Sequence, residues 1–221
     1  MRTIRVTGKG RIKVRPDMTK ITITLEGTYK EYSETLHKSS QDTDLLKDVL
    51  SVFGFERTDL KTLSFDVDAQ YESYKDKNGN YKKRFIGYRF QHILKVEFDS
   101  DNERLGKILY ALALCELKPE FRLSYTVKDP EAAKNELLGK AVTDAKEKAA
   151  VLTAAAGVTL KDIQSIDYTW GEIDFEVYPM RKPLMEGADK YLALPMKSYD
   201  LDIEPDDIEA ADTVTVVWEI E

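Results

Sequence analysis

Several stretches of the chain alternate apolar and polar residues. Neighbouring side chains of a strand point to opposite faces, so this pattern predicts strands with one buried face. Ile4, Val6, Ile12 and Val14 share one parity, Arg5, Lys9, Arg11, Lys13 and Arg15 the other, with Gly8 and Gly10 between them. Ile21, Ile23 and Leu25 then alternate with Thr22, Thr24 and Glu26. Pro16 and Asp17 supply turn chemistry between the two runs, which together predict a hairpin. Leu63, Phe65, Val67, Ala69 and Tyr71 form the apolar side of a further strand. Ile86, Tyr88, Phe90, His92, Leu94, Val96 and Phe98 form that of its partner. Asn78-Gly79 between them is a strong hairpin signal.

Helical spacing appears from Tyr32 to Phe53, where Tyr32, Leu36, Leu46, Val49, Leu50 and Phe53 recur at intervals of three, four and seven before Gly54. A second helix is predicted from about Asn102 to Cys115, then a strand with Phe121, Leu123, Tyr125 and Val127 on one parity. Asp129-Pro130 opens a long Ala-rich helix that reaches about Ala156, with Gly157 past its end. Strands follow near 163–177 and 213–220. In the first, the apolar parity passes from Ile166, Tyr168 and Trp170 to Ile173, Phe175 and Val177, predicting a bulge or bend at Gly171. Residues 18–128 thus read β-α-β-β-α-β, a ferredoxin-like order. The expected fold class is α+β, with antiparallel sheets, the long Ala-rich helix and terminal strands. One domain of two lobes is expected: 18–128, and 1–17 with 129–221. The segment 178–205 holds four prolines and three of the five methionines. Loops of this length inside compact domains are usually functional or disordered. Met180, Leu184, Met185, Tyr191, Leu192, Leu194 and Met196 make this one apolar, and they are the candidate contact with another subunit, the alternative being a mobile flap packed on its own domain.

The 221 residues carry a net charge of −7 with 42% hydrophobic residues, an ordinary globular composition that excludes wholesale disorder. The acidic balance argues against nucleic acid. So does the predicted open sheet face of Thr22, Thr24, Asp66, Asp68, Arg89, Gln91, Ser124 and Thr126, which has no aromatic residue for base stacking. The longest apolar run, Ile108 to Cys115, is eight residues, too short to span a membrane. The polar, alternating start, Met1-Arg-Thr-Ile-Arg-Val6, lacks a signal-peptide pattern. It predicts a cytoplasmic protein, or a periplasmic or secreted one if a leader has been removed.

Candidate chemistry is sparse. His92 lies on the apolar parity of its strand and is read as a hydrogen-bonded core residue; His37 is read as a solvated helix position. Cys115, the single cysteine, cannot form an internal disulfide and reads as a small buried hydrophobe, with redox sensing as the alternative. Gly8-Lys-Gly10 lacks the third glycine of a dinucleotide fingerprint and continues into a strand. Asp76 to Asn80 has its glycine too early for a calcium loop and reads as a turn. Asp200, Asp202, Glu204, Asp206 and Asp207 read as hydrated carboxylates. The tip formed by Tyr74, Lys75, Lys77, Tyr81, Lys82, Lys83 and Arg84 interleaves basic and aromatic residues, as a solvated hairpin end or a small anion site. The basic stripe of the first strand is expected to oppose Glu172, Asp174 and Glu176. No catalytic, cofactor-binding or metal-binding residue is assigned.

In the order and spacing of certain fragments the chain resembles the SIMPL-domain family, which includes bacterial periplasmic proteins linked to oxidative-stress defence. The fragments are Ile4-x-Val6-x-Gly8-x-Gly10 with Pro16-Asp17; Asp59-Leu-Lys-Thr62 with Tyr71; and Gly87-Tyr88. They continue with Ala141, Asp144, Ala145, Lys148, Ala149 and Leu152 before Gly157, and end with Ile203-Glu-Pro205 leading to Val214-x-Val216. The resemblance implies an α+β fold and large homo-oligomers, channel-like or hollow in one relative, and it brings no catalytic residue. The expected function is that of a non-enzymatic, self-assembling protein with a stress-protective or scaffolding role. The alternative is a small-molecule-binding protein or an enzyme with a site between the lobes.

Overall fold

A computed structural model describes residues 2–168, 173, 175–179 and 203–221. The fold is α+β, with three helices and eight strands in two antiparallel sheets among the described residues. The elements are β1 (Arg2–Val14), β2 (Met18–Tyr29), α1 (Tyr32–Ser51), β3 (Lys61–Lys75), β4 (Tyr81–Asp99), α2 (Asn102–Leu114), β5 (Glu120–Thr126), α3 (Pro130–Ala156), β6 (Leu160–Tyr168), β7 (Glu176–Val177) and β8 (Ile208–Ile220). The chain divides into two compact units. One is built on Met1–Asp17, Tyr125–Val177 and Pro205–Glu221, the other on Met18–Ser124.

In the second unit the strands run in the order β3-β4-β2-β5. Ile21, Ile23 and Leu25 of β2 and Phe90, Leu94, Val96 and Phe98 of β4 are buried against Leu46 and Leu50 of α1 and Leu105, Ile108 and Leu112 of α2. Each of these side chains removes roughly 1.5–3 kcal/mol worth of apolar surface from water. The helix α2 starts where the Asp101 carboxylate accepts the Arg104 N–H at 3.0 Å. Of the predicted open face, Asp66 and Asp68 are exposed, Thr22, Thr24, Arg89, Gln91 and Thr126 are half-buried, and Ser124 is buried.

The first unit is a three-stranded sheet, β1-β8-β6, with α3 packed on it. Val6, Val214, Val216 and Trp218 meet Ala141, Ala145 and Ala149, and a second cluster joins Ile12, Leu137, Phe175, Ile208 and Ala210. Asp129 caps α3 by accepting the Ala132 N–H at 2.8 Å, Pro130 opens its first turn, and Gly157 closes it in the left-handed conformation.

The expected hairpin of β1 and β2 does not form. β1 pairs with β8 from Arg2↔Ile220 to Val14↔Ile208, whereas β2 pairs with β4. Alternation identifies a strand and its buried face but carries no information about its partner. The residue expected to turn the chain is used otherwise: the Asp17 N–H donates to the Thr126 carbonyl at 3.2 Å, and the Asp17 carboxylate accepts the Lys128 N–H at 2.8 Å. The basic stripe therefore faces different partners from those expected. Lys13 lies 3.6 Å from Asp207 and 3.8 Å from Glu209, while Glu176 belongs to β7, which pairs with β5; Glu172 and Asp174 lie outside the described residues. Gly171, the expected bulge position, also lies outside them.

Tyr125 is fully buried, and its hydroxyl has no hydrogen-bond partner among the described residues. Burial pushes its pKa up. An unsatisfied buried hydroxyl costs more than its absence. Tyr125→Phe is therefore expected to raise unfolding stability by about 1 kcal/mol in urea melts; a loss of stability would show that the hydroxyl is satisfied.

Candidate functional site

The residues that could carry chemistry are held in structural roles. His92 is buried between α1 and β3, with its ring edge-on to Phe65 at a centroid distance of 5.0 Å. Thr43 Oγ1 gives its proton to the Ser39 carbonyl at 2.8 Å, so its 3.1 Å contact with His92 Nδ1 has the ring as donor. Nε2 then accepts from Thr62 Oγ1 at 2.8 Å, which assigns the neutral Nδ1–H tautomer. Both ring nitrogens are thus engaged by threonine hydroxyls, one on α1 and one on β3. Burial, followed by the nearby Lys47, holds the His92 pKa below its usual value of 6.5. The sign follows: the folded state favours neutral imidazole, so this stability is present above about pH 6.5 and is lost as pH falls from there through the lowered folded value. In urea melts across pH 5 to 8, the stability advantage of the wild type over His92→Gln is expected to shrink toward acid. A constant difference would count against this linkage.

His37 is exposed on α1, as expected of a solvated position. Cys115 is buried at the end of α2, a setting that suits a packed thiol and not an accessible redox sensor. Asp76 turns the β3–β4 hairpin: one carboxylate oxygen accepts the N–H groups of Asn78 at 2.9 Å and Asn80 at 3.0 Å, and the other meets Lys82 Nζ at 3.1 Å. These bonds, that from Asn80 first, hold its pKa below the usual carboxylate range. Among the described residues no three His, Cys, Asp or Glu side chains are grouped to hold a metal. Asp200 and Asp202 lie outside the described residues, and Asp207 is engaged with Lys13. Met180, Leu184, Met185, Tyr191, Leu192, Leu194 and Met196 also lie outside them.

Two local arrangements were not foreseen. The first is a clasp on the outer edge of β1. Asp144 on α3 accepts the Lys9 backbone N–H at 2.6 Å and Lys148 Nζ at 2.7 Å, and Lys148 reaches the Thr7 carbonyl at 3.5 Å. The Lys148 bond and then the Lys9 N–H keep the Asp144 carboxyl below its ordinary range. An edge strand offers unpaired backbone groups to other chains, and this ion pair occupies part of that edge. The second is a shallow hollow of about 550 Å³ beside the same strand, lined by Lys9, Arg11, Ile12, Lys13, Glu209, Ala210 and Ala211. Ala211 stands opposite Arg11 in the ladder and leaves room there, but the lining presents no base next to a nucleophile.

Among the described residues no such clasp lies on the edge strands β3 and β6. On β3, Leu63 and Phe65 are exposed, and on β6, Ile163, Ile166 and Tyr168 are exposed. Each of these strands ends its sheet.

A family model described as SIMPL, protein of unknown function (DUF541), matches residues 4–218. The chain belongs to the SIMPL family. Its fragments with SIMPL resemblance sit mainly at close packing: Gly8 and Gly10 against α3, Ala141, Ala145 and Ala149 in the buried stripe, and Asp144 and Lys148 in the edge clasp. Two curated proteins are similar over 217 residues, both called 26 kDa periplasmic immunogenic protein. That of Brucella abortus (strain S19) is 26% identical and that of Brucella melitensis biotype 1 is 25% identical; each match covers 98% of this chain and 84% of the relative. These names overturn the cytoplasmic expectation. A polar alternating start is what a strand beginning at Arg2 requires, and it carries no cellular address. No helix among the described residues is long and apolar enough to cross a membrane.

Proposed function

We propose that this SIMPL-family protein is a non-enzymatic, self-assembling scaffold that works in the periplasm, joined to copies of itself through uncovered edge strands. The observation that carries this reading is the exposure of Leu63 and Phe65 on β3 and of Ile163 and Ile166 on β6. Long edge strands with uncovered apolar side chains are templates for pairing. The engagement of His92, Asp76 and Asp144 in structural bonds supports the non-enzymatic part. The periplasmic names of the two relatives support the compartment. The apolar residues Met180 to Met196 belong to the same proposal as a further contact.

Native mass spectrometry at micromolar concentration tests it. The expected result is a defined oligomer that Ile163→Lys/Ile166→Lys or Phe65→Lys shifts toward monomer, with deletion of 180–200 testing the further contact. A wild type that stays monomeric would sink the reading.

A further inference from the structure

The end of the β3–β4 hairpin carries a second, separate surface. The register pairs Tyr71 with Phe85, Tyr74 with Lys82 and Lys75 with Tyr81, and cross-strand partners share a face. Tyr71, Phe85 and Tyr81 therefore lie on one face of the hairpin and Tyr74 on the other. All four are exposed, Tyr81 to 75%. On each face a cation lies against a ring: Lys75 Nζ is 5.0 Å from the centroid of Tyr81, and the Arg84 guanidinium is 6.0 Å from that of Tyr74. From Tyr71 to Gly87 there are five cations and two carboxylates, a local charge of +3 in a chain of −7. Asp76 is satisfied by Lys82 and backbone N–H groups, and Glu72 pairs with Arg84. Lys77 and Lys83 have no ion-pair partner among the described residues.

The geometry points to this hairpin end as a docking element for the surface of a bilayer containing anionic phospholipid. A flat protein surface covers one face of a hairpin and leaves the rings of the other in water. An interface entered end-on takes both faces, with the aromatic bodies at headgroup depth and the lysine and arginine heads beside lipid phosphates. The local positive charge complements such a surface against the sign of the whole chain. This is attachment to a membrane surface, not a span, and it is independent of self-assembly.

Flotation of the full chain with vesicles tests it. At low salt the protein is expected to float with phosphatidylglycerol mixed into phosphatidylcholine, and not with phosphatidylcholine alone. Lys77→Gln/Lys83→Gln should weaken partitioning roughly 25-fold, about fivefold for each cation lost. Lys77→Arg/Lys83→Arg should retain it, and Tyr74→Ser/Tyr81→Ser should reduce it with the charge unchanged. Far-ultraviolet circular dichroism should be the same for all variants, since the altered side chains are exposed. Absence of flotation, equal flotation on both vesicles, or insensitivity to the glutamine pair would overturn the inference. Release by inorganic phosphate but not by chloride of equal ionic strength would make the tip a free-phosphate site, and a tip-dependent dimer without vesicles would make a second copy the occupant; either also overturns it.

Discussion

Gly8→Ala is expected to cost about 3 kcal/mol or more in urea unfolding, an unusually large effect for adding one methyl group. A Cβ on Gly8 would lie 2.0 Å from the Ala141 carbonyl oxygen, 2.4 Å from the Ala145 amide nitrogen and 2.7 Å from the Ala145 Cβ. On Gly10 it would lie 2.2 Å from the Leu137 carbonyl oxygen. The obstacles at both positions include helix backbone, which cannot rotate aside as a side chain would. Relief requires α3 to move off β1. That would open the contacts of Val6, Val214, Val216 and Trp218 with the alanine stripe and stretch the Asp144 clasp. Gly139→Ala on the same helix is the control. It is exposed, nothing lies within 4 Å of its added Cβ, and it should gain roughly 0.5–1 kcal/mol from helix propensity. A Gly8→Ala loss below that of an ordinary surface change would show that the helix and strand are not held at this separation.

The same contact shows what can be read from the chain alone. The cap and stop signals of α3 and the buried parity of β2 and of β4 from Phe90 to Phe98 are local properties and appear where the pattern places them. Of the apolar face of α1, by contrast, only Leu46 and Leu50 are buried; Tyr32 and Leu36 are exposed, and Thr35 and Ser39 are buried in their stead. Gly8-x-Gly10 and the alanines at 141, 145 and 149 are two halves of one interface more than 130 residues apart in sequence. Neither half has a meaning until the other is opposite it. Strand partnership fails to show for the same reason: β1 finds β8 at the far end of the chain, and its nearest neighbour in sequence joins another sheet. His92 is the most legible of the candidate chemical residues. Its place on the apolar parity required partners for both nitrogens, and Thr43 and Thr62 provide them. The exposure of Leu63, Phe65 and Tyr71 could not be read, because alternation marks an apolar face without saying whether anything covers it.

Gly87→Ala is the second substitution with a large expected effect, about 3 kcal/mol, and it should act on the hairpin before the core. Gly87 has φ of +151°, a conformation that L side chains rarely adopt, and a Cβ there would lie 2.3 Å from the Tyr29 carbonyl oxygen. The residue stands at a β-bulge, where the register of β3 and β4 shifts between Gln70 and Tyr71 and Ile86 is the extra residue. Strict alternation along β4 would place Ile86 and Tyr88 on one face, and that was the expectation. The bulge instead brings Phe85 beside Tyr88, with centroids 5.2 Å apart, and continues the edge-on contacts to Tyr71 at 5.7 Å and Tyr32 at 5.3 Å. Straightening it to accommodate a methyl group would set Ile86 opposite Tyr71, turn Phe85 to the other face and break this row of rings. Hydrogen exchange should therefore show lost protection from 71 to 86, with the β4 amides from Phe90 to Phe98 much less affected, because those are pinned by β2 and both helices. Uniform loss across β4 would mean that the hairpin end and the core unfold as one unit. Unchanged protection would mean that Gly87 is dispensable to the bulge.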